Sequence, residues 1–198
     1  MEISLGSFIR FANASERARP RLARQIAAQA NSEYNPATDF WRPMRQAIHR
    51  DRKTSRDGEA LRAVALAAPS FRRTHFEQIS NKWRDVSPRW REAAAARVAT
   101  DHVDVGGLTV RLRPLFAEEW GDGHGEAAHV WFNKAELLPE TLDGVRALLA
   151  SVEGDSDLEA VFVDMRRGAI VPAGASADAN YTQWLDDLGH EYVRLMDD

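Results

Sequence analysis

The strand-like part of the sequence begins at Asp101 and reads Asp-His-Val-Asp-Val-Gly-Gly-Leu-Thr-Val-Arg-Leu-Arg-Pro, ending at Pro114. It continues with Ala-His-Val-Trp-Phe-Asn-Lys over residues 128–134. It closes with Val-Phe-Val-Asp-Met-Arg-Arg-Gly-Ala-Ile-Val over residues 161–171. Apolar and polar residues alternate through much of this region, and a period of two is typical of β-strands. The residues before it repeat their apolar positions with the longer period of a helix.

The strand region contains its own turn signals. Gly106-Gly107 predicts a tight hairpin turn, because glycine adopts positive φ without steric cost. Pro114 ends the second strand, since proline donates no hydrogen bond to a sheet. The strand over residues 127–134 places Val130 and Phe132 on one face, with His129 and Trp131 on the other. Short links between these three strands predict an antiparallel meander.

The helical patterning lies mostly before residue 100. One predicted helix covers residues 70–86, with Phe76, Ile79 and Trp83 as its apolar stripe. An alanine-rich helix is predicted over residues 89–99. Two further helices follow the meander, at residues 139–152 and 178–196. The predicted fold is α+β: a helical N-terminal half, then an antiparallel sheet of about five strands with two C-terminal-half helices packed on one face.

This pattern divides the chain into two regions, with a boundary near residues 86–100. Residues 1–99 form a basic helical region, and residues 100–198 form an acidic region of antiparallel sheet plus helices. We expect the two regions to form one compact unit, because 198 residues fit a single domain or a domain with a helical extension.

Composition excludes several classes of protein. The chain has no cysteine, which excludes disulfides, thiolate catalysis and cysteine-ligated metals or clusters. It has no apolar run near the ~20 residues that span a bilayer, and its first residues lack the features of a signal peptide. We therefore expect a cytoplasmic protein without a membrane partner. Arginine supplies 23 of the 26 basic residues, a bias typical of GC-rich bacterial genomes.

The charge of the chain is unevenly distributed. Residues 1–100 hold 19 basic and 10 acidic side chains, a balance of +9. Residues 101–198 hold 7 and 20, a balance of −13. This asymmetry has two interpretations: the basic helical half binds nucleic acid, or the two halves pack on each other within one chain or in a homodimer. The overall charge of −4 favours the second, because an acidic chain attracts phosphate weakly at long range.

One candidate metal site is the loop around residue 124. His124, Glu126 and His129 are residue types that ligate metals. Their spacing differs from the helical His-Glu-x-x-His pattern, and in a strand the two histidines point to opposite faces. A solvated hairpin loop is the alternative.

One candidate catalytic set lies along the last apolar strand. Glu159, Asp164 and Arg166 resemble the carboxylates and cation that position a divalent metal and water in nucleases. The match is partial, since Asp-Met-Arg stands in place of Glu-x-Lys and the further carboxylate is either Asp155 or Asp157.

The exposed face of the strands is the candidate binding surface, with Arg111, Arg113, His129 and Trp131. A second candidate is an arginine face on the helices, which would contact phosphates or simply be solvated. Its members are Arg17, Arg21, Arg24, Arg42, Arg45, Arg50, Arg52, Lys53 and Arg56. The Gly-x-Gly-x-Gly of residues 121–125 lacks the strand-to-helix context of a nucleotide-binding motif.

Two hypotheses about function follow. The first is a non-enzymatic protein-interaction or regulatory binding module, which the charge asymmetry and the lack of convergent catalytic residues favour. The second is a metal-dependent hydrolase, or a nuclease-like enzyme acting on nucleic acid, built on one of the two polar clusters. Whether the protein is an enzyme is left open by the sequence.

Overall fold

The computed structural model describes residues 1–31, 39–152, 158–174 and 179–197. The helices within these ranges are α1 Leu5–Ala12, α2 Arg19–Asn31, α3 Arg42–Lys53, α4 Glu59–Leu66, α5 Ser70–Val86, α6 Pro139–Ala150 and α7 Ala179–Asp197. The strands are β1 Glu2–Ser4, β2 Ala94–Ala95, β3 Asp101–Val105, β4 Leu108–Leu112, β5 Phe116–Glu119, β6 Gly125–Trp131, β7 Leu158–Asp164 and β8 Ala169–Pro172. The predicted α+β class, with a helical first half, is confirmed.

The larger sheet has the strand order β2-β5-β6-β7-β8. Strands β6 and β7 are parallel, while the other neighbours are antiparallel. The prediction of an antiparallel sheet is therefore wrong in this respect, and the sheet is mixed. The reason is the connection: the chain leaves β6, passes through α6 and returns alongside β6 in the same direction, as parallel strands require.

The hairpin of β3 and β4 belongs to a second, three-stranded sheet of order β1-β4-β3. Gly106 and Gly107 both have positive φ at its turn, which confirms the predicted tight turn. The predicted meander is wrong, because β4 pairs on its other side with β1 and not with β6. Strand β1 was missed because its three residues are too few to show a period.

The predicted helix over residues 89–99 is also wrong. Residues Ser87–Trp90 form one turn of 3-10 helix, and β2 then pairs with β5. The alanines favour a helix locally, but tertiary strand pairing overrides this preference. Trp90 and Ala93, which are 0% and 4% exposed, fix the segment in the core.

Helices cover both faces of the larger sheet, and the two C-terminal-half helices, α6 and α7, both lie on the same face, as predicted. Helices α3, α4 and α5 bury one face, where Phe76, Ile79 and Trp83 form the predicted stripe. Helices α1, α2, α6 and α7, with the smaller sheet, supply the core on the other. A parallel strand pair is commonly buried on both faces, which accounts for the apolar β7. No described helix is both long and apolar enough to cross a membrane.

Candidate functional site

Three adjoining cavities open around the start of α1 and have volumes of about 150, 850 and 300 Å³. Ser4 borders all three, while Gly6, Val130 and Trp131 border the first two. We call them the small, large and outer cavities, and together the basic cleft. The large cavity has the size of a typical small-molecule site.

The small cavity lies between the start of α1, strand β6 and the end of β4. It brings together all four residues of the predicted binding surface: Arg111, Arg113, His129 and Trp131. The two arginines are exposed, whereas His129 and Trp131 are 5% and 7% exposed. His129 and Trp131 share a face because side chains alternate along a strand. That face was predicted to be exposed, and α1 covers it instead.

His129 and Trp131 each carry a buried nitrogen without a hydrogen-bond partner among the described residues. These atoms are Nδ1 of His129 and Nε1 of Trp131. Burial lowers the pKa of His129 from 6.5 to about 4, so its imidazole is neutral near neutral pH and one ring nitrogen carries a proton. Buried polar groups in native proteins nearly always have partners, so two orphans beside one cavity indicate that a water or a ligand satisfies them.

The start of α1 adds backbone donors to the small cavity. Ser4 caps the helix, with its Oγ accepting from Ser7 N at 3.2 Å. The first N–H groups of a helix lack partners inside it and carry partial positive charge. Gly6 has no side chain there, and a Cβ at this position would meet only Trp131, at 4.0 Å. An anion can therefore approach the helix start closely.

The large cavity combines cations with aromatic rings. Its cationic side chains are Arg10, Arg45, Lys134 and Arg166, and its aromatic walls are Phe40, Trp41, Trp131 and Phe132, with His75 beside them. The rings of Trp41 and Phe132 stack at 5.4 Å between centroids. Walls of this kind suit a ligand with a flat apolar body and negative charge.

Arg166 is fixed rigidly at one side of the large cavity. Its Nε donates to Phe132 O at 3.1 Å, and its Nη2 lies 3.0 Å from His75 Nδ1. Its Nη1 donates to Gln78 Oε1, and its guanidinium lies 5.0 Å from the centre of the Trp41 ring. Burial lowers the pKa of Arg166, yet it leaves the guanidinium charged at neutral pH.

The cleft has the opposite charge from the protein as a whole. Six cationic side chains line the three cavities, against the carboxylates of Asp39 and Glu2, a balance of +4. The chain itself carries −4. Asp39 pairs with Arg45, and Glu2 with Arg111 at 3.1 Å, so the other cations give the cleft its surplus. A concave surface of one sign concentrates ligands of the other.

The predicted metal set does not converge. His124 Nε2 lies 3.9 Å from Glu126 Oε1, but His129 is on the opposite face of β6, in the small cavity. Glu159, the partner of Glu126 in the β6–β7 register, completes a different cluster with His124, in which the ligand atoms lie within 4.8 Å of one another. This cluster already contains a cation, because Arg89 donates to both oxygens of Glu126.

The predicted catalytic set is also dispersed. Glu159 lies near the start of β7 and Asp164 at its end, which separates them by roughly 17 Å at the usual rise of a strand. Asp164 accepts from Arg167 Nη1 at 2.9 Å and from the backbone of Arg166 at 3.0 Å, while the Arg166 side chain faces the basic cleft. Asp155 and Asp157 lie outside the described residues.

Some arginines of the basic half pair with carboxylates of the acidic half. Arg52 Nε donates to Glu118 Oε1 at 2.7 Å, and Arg56 lies 3.2 Å from the other oxygen. Arg19 pairs with Glu191 at 2.7 Å. The candidate arginine face is therefore divided, since Arg52 and Arg56 turn inward while others, such as Arg21 and Arg24, are exposed.

Sequence reasoning missed Gly6, Arg10 and Trp41 as cleft residues. Ser4 three residues before Ser7, ahead of an apolar run, was an available signal for a helix start. Trp41 directly precedes α3 and packs partly against the core, so its position in a cavity wall had no separate signal. Neither the comparison with models of known protein families nor the comparison with curated proteins gives a match to this chain.

Proposed function

We propose that this protein is a non-enzymatic binding module that takes a small anionic ligand in the basic cleft. One observation carries the proposal: a cavity of about 850 Å³ lined by cations and aromatic rings adjoins a smaller one lined by His129 and Trp131, each of which has a buried nitrogen without a partner among the described residues. Neither the large cavity nor the pair of unpartnered nitrogens would indicate a ligand site on its own. Together they provide volume, charge and unsatisfied polar groups in one place, which is the usual composition of a ligand site.

The arrangement of Arg166 and of the carboxylates in the cleft supports binding more than catalysis. Phe132, His75 and Gln78 contact the guanidinium of Arg166. These contacts make it a positive charge at a fixed position. The two carboxylates of the cleft are each paired with an arginine. A general base needs a free acceptor near the substrate, and neither of these carboxylates is placed to serve as one.

The alternative is a metal-dependent hydrolase at His124, Glu126 and Glu159. The proximity of their ligand atoms favours it. The contacts of Glu126 oppose it, because Arg89 and Trp90 donate to its two oxygens, with Trp90 Nε1 at 2.6 Å. A divalent ion would have to displace the guanidinium charge or share the site with it, at a cost from repulsion between like charges.

The test is a thermal-shift screen of the full chain against phosphates, sulfates and carboxylates at equal ionic strength. We expect a subset of anions to raise the melting temperature, since a ligand that binds only the folded state stabilises it. The double variant Arg10→Gln/Lys134→Gln should lose most of that shift. Arg62→Gln is the matched control, because Arg62 forms an exposed pair with Glu59 on α4, away from the cleft.

Two results would contradict the proposal. One is the absence of any anion-dependent shift at millimolar concentration. The other is salt-dependent binding of a single-stranded oligonucleotide that survives Arg10→Gln/Lys134→Gln but is lost in Arg21→Gln/Arg24→Gln. That second result would assign function to the exposed arginines of α2 and support nucleic-acid binding by the helical half.

A further inference from the structure

We infer that the small cavity is a phosphoryl subsite, and that the ligand is an aromatic phosphate monoester whose ring occupies the large cavity. This inference rests on the proposed function and names the chemistry of the ligand. It goes further by assigning each end of the ligand to one cavity.

The size of the small cavity suits a single charged group. Its volume of about 150 Å³ far exceeds the ~10–15 Å³ that one water requires. It is also smaller than the ~300 Å³ at which pockets for whole drug-sized ligands begin. A compact tetrahedral group has a volume between these two limits. The remainder of the ligand must then lie outside the small cavity.

The donors around the small cavity suit an oxyanion with several oxygens. Arg113 contributes a guanidinium group, and Arg111, which also pairs with Glu2 at 3.1 Å, contributes a second. Guanidinium groups bind phosphate through paired N–H donors. The start of α1 contributes backbone N–H groups at Gly6, where an anion can approach without meeting a side chain. Phosphate at a helix start beside glycine is a recurring arrangement, because the backbone donors and the helix dipole act together.

Two buried side chains support the same ligand class, independently of the helix start. His129 and Trp131 both border the small cavity, both are more than nine-tenths buried, and each has a nitrogen without a partner among the described residues. The indole Nε1 is always a donor, and the imidazole Nδ1 donates in one tautomer. Both are therefore able to give a hydrogen bond to an acceptor-only group such as a phosphoryl oxygen, after a small side-chain rotation that turns the buried nitrogen toward the cavity.

The wall shared by the two cavities allows one ligand to occupy both. Gly6, Val130 and Trp131 border each of them. The rest of a ligand whose phosphoryl group lies beside Gly6 can therefore extend directly into the large cavity. There Phe40, Trp41 and Phe132 offer apolar surface for a ring. The charges of Arg166 and Lys134 beside this surface can pair with further polar substituents on that ring.

The experiment is titration calorimetry of the full chain with phenyl phosphate, methyl phosphate and benzoate. We expect phenyl phosphate to bind about tenfold more tightly than either of the others, because each lacks one of the two parts. Methyl phosphate lacks the ring, and benzoate replaces the tetrahedral dianion with a planar monoanion.

Two variants locate the phosphoryl group. Gly6→Ala places a methyl group at the helix start, where it meets the fold only at 4.0 Å, so the melting temperature should not fall. Its affinity for phenyl phosphate should drop about tenfold, and Arg113→Gln should cost a similar factor through loss of a charged donor. Gly121→Ala is the matched control, because a Cβ there has no neighbour within 4 Å and the loop lies outside the cleft.

The outcomes separate this inference from the proposed function. If phenyl phosphate binds Gly6→Ala and Arg113→Gln as tightly as the parent protein, the phosphoryl subsite is excluded while the cleft proposal stands. If benzoate binds as tightly as phenyl phosphate, the cleft binds anions but does not select phosphoryl groups. If these probes give no heat while other anions shift the melting temperature, only the ligand class is refuted. If no anion binds at all, both fail.

Discussion

Glu118 and Glu126 lie directly opposite each other in the β5–β6 register, and both side chains are fully buried. Two carboxylates in this arrangement repel each other. Each is neutralised by an arginine from the helical half: Arg52 donates to Glu118, and Arg89 donates to Glu126. The sheet therefore depends on the helical half for its charge balance as well as for its core.

The first prediction concerns the buried pair of Arg52 and Glu118. Glu118→Gln should lower the free energy of unfolding by about 3 kcal/mol, because it leaves the Arg52 guanidinium buried without its counter-charge. Urea denaturation measures this difference. Glu59→Gln, which removes an exposed partner of Arg62, should cost less than about 1 kcal/mol. Equal costs for the two variants would show that the buried pair is not specially important.

The second prediction concerns the contact between α7 and the β3–β4 turn. A Cβ at Gly189 would overlap the carbonyl oxygen of Val105, so Gly189→Ala forces the hairpin away from the helix. We expect a net loss of about 2 kcal/mol in the free energy of unfolding, since overpacking outweighs the better helix propensity of alanine. Gly6→Ala, a helix glycine with space around it, should be neutral or stabilising. A stable Gly189→Ala protein would contradict the close packing.

The third prediction concerns the pH dependence of stability. Burial lowers the pKa of His129 from 6.5 to about 4, so between these values the unfolded chain binds a proton that the folded protein does not. Stability should therefore fall as the pH drops through this window, by about 3 kcal/mol in total from this residue. The His129→Gln variant should lose less stability over the same range. Urea denaturation at a series of pH values measures both slopes.

His49 also lowers stability as the pH falls, both in the parent protein and in the His129→Gln variant. Burial is the largest cause that lowers the pKa of His49, followed by the charge of Lys53, and it contributes equally to the parent and the variant. The difference between the two curves thus isolates His129. If the curves are parallel below pH 6.5, the imidazole is solvated and the small cavity is more open than the structure indicates.

The fourth prediction separates the two functional hypotheses. Zinc or manganese should leave the melting temperature unchanged, because Arg89 and Trp90 hold the oxygens of Glu126. A thermal-shift titration of the parent protein and of His124→Ala tests this. A rise of several degrees in the parent that disappears in His124→Ala would support a metal centre at His124, Glu126 and Glu159.

Several elements were predictable because their signals are local. The stripe of Phe76, Ile79 and Trp83 is buried as the helical period requires. The Gly106-Gly107 turn needs only the backbone freedom of two adjacent glycines. Strand pairing was harder to predict from the sequence, since a strand with a clear period does not specify which strand it pairs with or in which direction. The parallel β6–β7 pair and the short β1 follow from the path of the whole chain.

The candidate site shows the same division. Alternation along β6 put His129 and Trp131 on one face, and that pattern was visible in the sequence. Their burial was not, because it depends on α1 packing over that face. Gly6 carries no chemical signature at all, and only the folded chain places it beside Arg113 and His129.

The fold class, the tight hairpin turn, the absence of cysteine chemistry and the opposite charges of the two halves could all be predicted from the sequence. These properties depend on composition or on residues close together in the chain. The tertiary structure decided which arginines are used internally and which remain at the cleft. Arg52 and Arg89 form ion pairs with buried glutamates, whereas Arg10 and Lys134 lie beside the large cavity. The physical reason is that a buried charge requires a partner, and the position of that partner is fixed only when distant segments pack.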